Sequence, residues 1–303
     1  MSSSKALFKA FKESNIQLAG HGKRNVKVLK EAFHRVDGDI SERLDGVFVE
    51  QTDYSDPAAR ALIRGEVEAV VEEFKDTPGV LMWLLGNENN YGLVWSSAET
   101  EALPEGERDA ARATYLYSLF GEVTDAIKAI DPTRPVAMAN GDTQYIDIIA
   151  EDAGNLDVFG ANVYRGISFR DLFQEVDEKL GIPVMFTEFG SDVWNAKEMR
   201  EDQVMQAYYL LGNWQEIYEQ SAGKGGVGNA IGGLTFQWTD GWWKFGQEDD
   251  LDVQNTNASW PNDAYLWDYV PGENNMNEEW WGIVAKGPTD LNGFYELYPR
   301  AAF

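Results

Sequence analysis

Two apolar runs that each end in a glutamate constrain the fold of this chain more than any other feature of its sequence. The first is Val80-Leu-Met-Trp-Leu-Leu-Gly-Asn-Glu88, and the second is Pro183-Val-Met-Phe-Thr-Glu188. Each run has the length and the nearly continuous hydrophobicity of a buried parallel strand, and loop-type residues follow each glutamate. Both carboxylates are therefore predicted at the C-terminal ends of strands, where α/β barrels carry their functional groups.

The pattern between and around these runs predicts alternating strands and helices. Asp56-Pro57 is a helix start signal, and Asp131-Pro132 closes a long helix that begins near Gly106. Further strands are predicted at 136–140, 156–162 and 230–238, and further helices near 143–153, 169–180 and 201–220. Such alternation is typical of a parallel sheet with helical crossovers. The sequence thus predicts an α/β fold of the TIM (β/α)8 type, as one domain over residues 1–303.

Composition narrows the classes of partner and cofactor. The chain holds 51 acidic against 25 basic residues, a net charge of −26, which argues against nucleic acid and anionic membrane surfaces. Neutral substrates remain. The acidic surface is interpreted as a solubilising one, with adaptation to high salt as the alternative. There is no cysteine, and the only histidines are His21 and His34, so no cofactor and no histidine or thiolate metal site is expected. The oligomeric state stays open.

The first residues bear on localisation. No run of 18 apolar residues is long enough to cross a bilayer, and the segment from Met1 to Lys12 has the pattern of a short amphipathic helix rather than a signal peptide. We expect a cytoplasmic protein as the chain stands, or a secreted one whose leader has been removed.

The order of the motifs resembles the catalytic barrel of the clan A retaining glycoside hydrolases, most nearly the family 2 type, over roughly residues 53–303. The likeness rests on Gly86-Asn87-Glu88 after the fourth barrel strand, Asn162-Val-Tyr164 after the sixth, Thr187-Glu188-Phe-Gly after the seventh, Gln237-Trp238 after the eighth, and Asp131-Pro-Thr-Arg-Pro135. Each dipeptide alone is a weak signal. Their order and barrel-like spacing make the combined signal specific.

The resemblance implies a mechanism and a set of site residues. Retaining hydrolysis uses two carboxyl groups about 5–5.5 Å apart, one as nucleophile and one as acid and then base. By resemblance, Glu188 is the nucleophile and Glu88 the acid/base. The same resemblance implies that Asn87 binds the sugar hydroxyl beside the anomeric carbon, Tyr164 orients Glu188, and Trp238 forms a platform under the sugar ring. Asn162 ends a strand and is either a pocket residue or a turn former.

The segment 239–293 is predicted as a long loop between the last strand and the last helix. It is rich in tryptophan, and a loop of this length is uncommon unless it has a function such as walling a cleft. Trp242 and Trp243 are candidate substrate-binding residues, as are Trp260, Trp267, Trp280 and Trp281, with packing inside the loop as the alternative. Oxygen-bearing side chains at 249–257 have a spacing that could take Ca²⁺, but the stretch lacks the glycine and distal glutamate of an EF-hand loop.

The two ends of the chain depart from the family pattern. Three strand–helix units before the Glu88 strand need roughly 90 residues, and residues 1–56 fit two strands better than three. Tyr295–Phe303 is predicted as the first turns of an eighth helix. Barrel closure is therefore an open question, and Ala6–Phe11 is the candidate cover for a gap.

The sequence leaves more than one function open. The favoured interpretation is a retaining β-glycoside hydrolase that acts on a neutral β-linked oligo- or polysaccharide by double displacement. A glycosyl transfer enzyme of the same mechanism, a non-catalytic carbohydrate-binding barrel, and an unrelated barrel enzyme that uses the carboxylates for proton transfer or Mg²⁺ are the alternatives.

Overall fold

The computed structural model describes residues 52–241, 244, 253–288, 290–291 and 293–303. The strands and helices expected before residue 52, as well as Trp242 and Trp243, lie outside the described residues. The described chain forms two compact units. The first contains the residues up to Ala161 together with Gln174–Met185, and the second contains Asn162–Phe173 and the residues from Phe186 onward. That residues 1–303 form a single domain stays a prediction.

The first unit alternates helices with short parallel strands. Its elements are α1 (Pro57–Phe74), β1 (Trp83–Leu85), α2 (Ala98–Glu101), α3 (Glu105–Ile130), β2 (Val136–Met138), β3 (Asn140–Gly141) and α4 (Ile146–Asp152). Strands β1 and β2 are parallel, with Trp83 opposite Val136 and Leu85 opposite Met138. The helix expected near 106–130 and the strand expected at 136–140 are thus found, whereas the strand expected from Val80 begins only at Trp83.

Three elements have residues in both units. They are β4 (Phe159–Asn162), α5 (Leu172–Lys179) and β5 (Val184–Phe189). Within the first unit, the amide of Phe159 donates to the carbonyl of Pro183 (2.8 Å), so β4 and β5 run side by side.

Capping and burial explain the helices of the first unit. Asp56 accepts a hydrogen bond from the amide of Ala58 (2.9 Å) and Pro57 occupies the first turn, so α1 begins where the sequence predicts. Arg60 on α1 donates to the carbonyl of Tyr115 on α3 (2.7 Å), which ties the two helices together.

The core of the first unit lies between α3 and β2. All three residues of β2 are fully buried, and α3 contributes the buried side chains Ala113, Leu116, Tyr117, Leu119, Val123 and Ile127. Each fully buried aliphatic side chain of this kind contributes about 1.5–3 kcal/mol to stability. This packing holds the C-terminal ends of β1 and β2 in place.

The second unit is built around β5 and two aromatic clusters. Its further elements are β6 (Trp194–Asn195), β7 (Arg200–Glu201), α6 (Gln203–Glu219), β8 (Ala230–Thr235), β9 (Val284–Lys286) and β10 (Leu297–Pro299). The amide of Phe236, just after β8, donates to the carbonyl of Phe189 (2.8 Å), so the end of β5 lies beside the end of β8. One cluster contains Phe169, Phe173, Phe186 and Phe189, and the other contains Met205, Tyr209, Tyr265, Met276 and Trp281.

The C-terminal part of the chain corrects two expectations. Tyr295–Phe303 does not begin a helix, because Leu297–Pro299 forms β10, which pairs with β9 in antiparallel fashion. The segment 239–293 also contains regular structure, namely β9 and a 3-10 helix at Glu278–Trp280. The buried side chain of Arg300 bonds to the carboxylate of Asp240 and so anchors the residue that directly follows β10.

Among the described helices, none combines the length and apolar character that a membrane-spanning segment needs.

Candidate active site

Glu188 lies in the second unit, at the penultimate position of β5, as its sequence pattern predicts. The phenolic hydroxyl of Tyr164 donates to Oε2 of Glu188 (2.9 Å), and both residues are half-buried. The carbonyl of Glu188 accepts a hydrogen bond from the amide of Val163 (2.8 Å), so the two strand ends are held in register. A carboxylate that accepts a hydroxyl hydrogen bond is fixed in direction and favoured in its charged form.

The ends of β4 and β5 are joined a second time by buried side chains. Thr187 donates from Oγ1 to Oδ1 of Asn162 (2.6 Å), and Asn162 is only 2% exposed. Asn162 therefore helps to position the segment that carries Tyr164. A direct contact of Asn162 with a substrate stays a prediction.

Trp281 and Phe236 form the aromatic surroundings of Tyr164. The Tyr164 ring contacts Trp281 edge to face at 4.9 Å and Phe236 at 6.4 Å between ring centroids. Trp281 is 1% exposed, so it packs inside the unit and does not offer a surface. Trp238 is 57% exposed, and its ring contacts Phe303 at 5.6 Å. Its role as a platform stays a prediction.

The sequence did not single out Phe236, because Trp238, two residues later, is the larger aromatic and lies in the recognised motif. The Nζ of Lys244 lies over the ring of Phe236, 4.7 Å from the ring centroid. Lys244 is held there by Glu278 (3.3 Å), which in turn accepts a hydrogen bond from Nε1 of Trp260 (2.6 Å). Trp260 thus helps to position Glu278 in this ion pair. Because the charges of Lys244 and Glu278 are opposite, the pair adds no net charge beside Phe236.

Glu88 lies in the first unit, three residues beyond the end of β1. Its amide donates to the carbonyl of Ala139 (2.9 Å), which continues the β1–β2 ladder to Glu88 itself. The backbone of Glu88 is left-handed, with φ 51°. For a residue with a Cβ atom this conformation costs about 1–2 kcal/mol, and such strain clusters at functional sites. Asn87 beside it is exposed.

A buried polar network supports the loop after Glu88. Asn90 is 4% exposed; its Nδ2 donates to the carbonyl of Gly141 (3.0 Å), and its Oδ1 accepts from the amide of Gly141 (2.8 Å). Tyr117 donates to Oδ1 of Asn140 (2.6 Å), and burial raises the pKa of this tyrosine. Tyr117 therefore stays protonated and keeps its hydrogen bond throughout the range in which an enzyme works. The sequence offered no signal for this network beyond the asparagines themselves.

A buried carboxyl group lies four residues after Glu188. Asp192 is 1% exposed and accepts a hydrogen bond from the amide of Asn277 (2.6 Å). Burial raises its pKa well above the usual range, and the nearby carboxylates of Asp268 and Glu278 raise it further. Burial therefore favours the protonated form of this group more strongly than water does.

The described residues contain no cluster of three or more His, Asp or Glu side chains that could hold a metal ion. The stretch 249–257, which the sequence raised for calcium, lies only partly within the described residues.

Comparison with known proteins assigns the architecture. The family model described as the TIM barrel domain of glycosyl hydrolases family 2 matches residues 40–222. β-Glucuronidase 2 of Bacteroides uniformis, covalently bound to cyclophellitol-6-carboxylate aziridine, has a TM-score of 0.50 at 14% identity, over 78% of this chain and 25% of that one. A family 2 β-galacturonidase of Eisenbergiella tayi, bound to galacturonate, has a TM-score of 0.45 at 17% identity, over 82% of this chain and 36% of that one.

The chain therefore spans 25% and 36% of the lengths of these two solved structures. No curated protein matches it.

Proposed function

Because this chain belongs to glycosyl hydrolase family 2 and has its TIM barrel fold, we propose that it is a retaining β-glycoside hydrolase that acts on a neutral β-linked oligo- or polysaccharide. Glu188 attacks the anomeric carbon, and Glu88 first protonates the departing oxygen and then activates water. The reaction needs no cofactor.

The hydrogen bond from Tyr164 to Glu188 is the observation that carries this proposal. A nucleophilic carboxylate must be ionised and held in a fixed direction. The bond to Oε2 (2.9 Å) supports both needs, because a donated hydroxyl hydrogen orients a carboxylate and favours its charged form. When the glycosyl–enzyme bond breaks, Tyr164 again stabilises the charge that returns to Glu188.

The remaining site residues have roles in binding. Asn87 is exposed next to Glu88, where it reaches the hydroxyl beside the anomeric carbon. Tyr164 and Asn162 line the sugar site with Glu188. We assign Trp238, Trp242 and Trp243 to outer parts of the binding surface, because exposed indole rings suit the apolar faces of sugars.

The charge of the chain supports the choice of a neutral substrate. The net charge is −26, which repels anionic sugars, and the cation of Lys244 near Phe236 is already neutralised by Glu278. A uronic acid would meet no unpaired cation at that point among the described residues.

A panel of aryl β-glycosides of glucose, galactose, mannose, xylose and glucuronic acid tests the proposal. We expect hydrolysis of at least one neutral glycoside, unaffected by EDTA, with a product that first appears in the β configuration by proton NMR. A fluorinated aryl glycoside of the same sugar should label Glu188, as identified by peptide mass spectrometry, and Glu188→Gln should abolish labelling. An α product, or activity that EDTA removes, would overturn the mechanism.

A further inference from the structure

Tyr91 is an exposed aromatic residue one short turn away from Glu88. Tyr91 belongs to the 3-10 helix Asn89–Gly92, which begins directly after Glu88. The amide of Tyr91 donates to the carbonyl of Glu88 (3.0 Å). The residue is 58% exposed, whereas nearby Leu93 and Trp95 are 6% and 2% exposed. Tyr91 and Val94 (54% exposed) thus stay at the surface, and Tyr91 is the aromatic ring that this segment exposes.

The ring of Tyr91 rests on a glycine. A Cβ atom built on Gly141 would lie 2.3 Å from Cε2 and 2.4 Å from Cζ of Tyr91, and no other residue supplies the three nearest atoms. Any side chain at position 141 would therefore push the ring away. The backbone of Gly141 is fixed in turn by Asn90, which bonds both its amide and its carbonyl. One side of the ring is seated on rigid backbone.

The place of Tyr91 beside Glu88 determines which part of a substrate it can meet. An acid/base residue protonates the oxygen of the departing group, so the leaving sugar lies next to that residue. The faces of a pyranose ring carry C–H groups and pack against aromatic rings, as other apolar surfaces do. We propose that Tyr91, seated on Gly141, forms the platform that binds the sugar on the leaving-group side of the scissile bond.

This inference rests on the proposed function and adds a substrate class to it. An enzyme with a built platform for the leaving sugar is selective for oligosaccharides over glycosides of simple alcohols or phenols. The same platform would hold an acceptor sugar when the covalent intermediate is attacked by a hydroxyl in place of water.

Four variants test the platform. Tyr91→Ala removes the ring, Tyr91→Phe keeps it, Gly141→Ala displaces it, and Tyr218→Ala changes a tyrosine of similar exposure (60%) on α6 as a control. We expect Tyr91→Ala and Gly141→Ala to lower kcat/KM for neutral β-linked oligosaccharides about tenfold. Both should leave activity on aryl glycosides with good leaving groups within about twofold, whereas Tyr91→Phe and Tyr218→Ala should resemble the wild type on both substrates.

The double variant Tyr91→Ala/Gly141→Ala distinguishes displacement of the Tyr91 ring from a general effect of Gly141→Ala on folding. Once Tyr91→Ala has removed the ring, Gly141→Ala meets no clash with it, so the second change should add nothing. A further loss in the double variant, or equal losses on aryl glycosides and oligosaccharides, would overturn the platform.

Binding measurements distinguish this inference from the proposed function. Calorimetric titration of Glu188→Ala with neutral β-linked oligosaccharides of glucose, galactose, mannose and xylose should show binding that Tyr91→Ala weakens about tenfold. If the wild type hydrolyses nothing but this weakening is found, the proposed function fails and the platform stands. If no oligosaccharide binds, or if binding is unchanged by Tyr91→Ala, the platform fails.

Discussion

Tyr164 donates its phenolic hydrogen to Oε2 of Glu188 over 2.9 Å. Tyr164 lies just after the end of β4, and Glu188 lies near the end of the neighbouring strand β5. The relationship depends on the register of β4 and β5, which the hydrogen bond from Val163 to Glu188 maintains. Glu188 is therefore oriented from two sides, by its own backbone and by Tyr164.

Replacing Tyr164 by phenylalanine should lower kcat. A hydrogen bond to a charged group contributes about 1.5–3 kcal/mol, which corresponds to a loss of roughly 10- to 150-fold. KM should change less than kcat, because the lost hydroxyl bonds to Glu188 while phenylalanine keeps the ring that lines the sugar site. Steady-state kinetics on an aryl glycoside measures this, with Tyr115→Phe as the matched control. A wild-type kcat in Tyr164→Phe would show that the bond does not matter for catalysis.

The two glutamates should fail in different ways when they are changed to alanine. Glu188→Ala lacks its nucleophile, so added azide should restore turnover and give a product of inverted configuration. Glu88→Ala should retain most activity on substrates whose leaving group needs no protonation. Rates with and without azide, on aryl glycosides of graded leaving-group acidity, separate the two. Equal losses that azide does not restore would indicate a structural role for both residues.

Asp192→Asn should change the pH dependence of stability. Burial raises the pKa of Asp192 in the folded state, so its contribution to stability is complete below the ordinary carboxyl pKa of about 4 and is lost as pH rises through the raised value. Asparagine keeps the acceptor for the amide of Asn277 and cannot ionise. The stability of the variant relative to the wild type should therefore increase with pH above about 4.

Urea unfolding over a series of pH values measures this difference, with the exposed Asp177→Asn as the control. If the free energy of unfolding changed with pH in parallel for the wild type and Asp192→Asn, the predicted role of Asp192 would be contradicted.

Arg300→Met should destabilise the second unit. Arg300 and Asp240 are 5% and 1% exposed, and they form a bidentate pair at 2.5 and 2.7 Å. Removing the cation leaves a buried carboxylate uncompensated, at a cost of about 3–5 kcal/mol. The double variant Arg300→Met/Asp240→Asn should recover part of this loss, because the carboxylate is gone and the amide can still accept from Gly282. Denaturant unfolding of the two variants tests the pair; a double variant less stable than Arg300→Met would argue against it.

The sequence by itself determined the order of elements and the place of the two glutamates. Long apolar runs of strand length predicted β1 and β5, and Asp56-Pro57 predicted the start of α1, because burial and capping are local properties of the chain. The family resemblance rests on the same motifs, and the match over residues 40–222 confirms it.

Only the tertiary structure decided which side chains meet. Tyr295–Phe303 was expected to be helical from its local pattern, but the partner of Arg300 lies 60 positions earlier in the chain, at Asp240. The sequence singled out Trp238 as the aromatic platform of the site. Strand β8 ends at Thr235, so strand alternation does not extend to Trp238, and Phe236 is the ring that meets Tyr164. The seat of Tyr91 on Gly141 depends on two loops 50 residues apart, and contacts at such separations leave no trace in local hydrophobic periodicity.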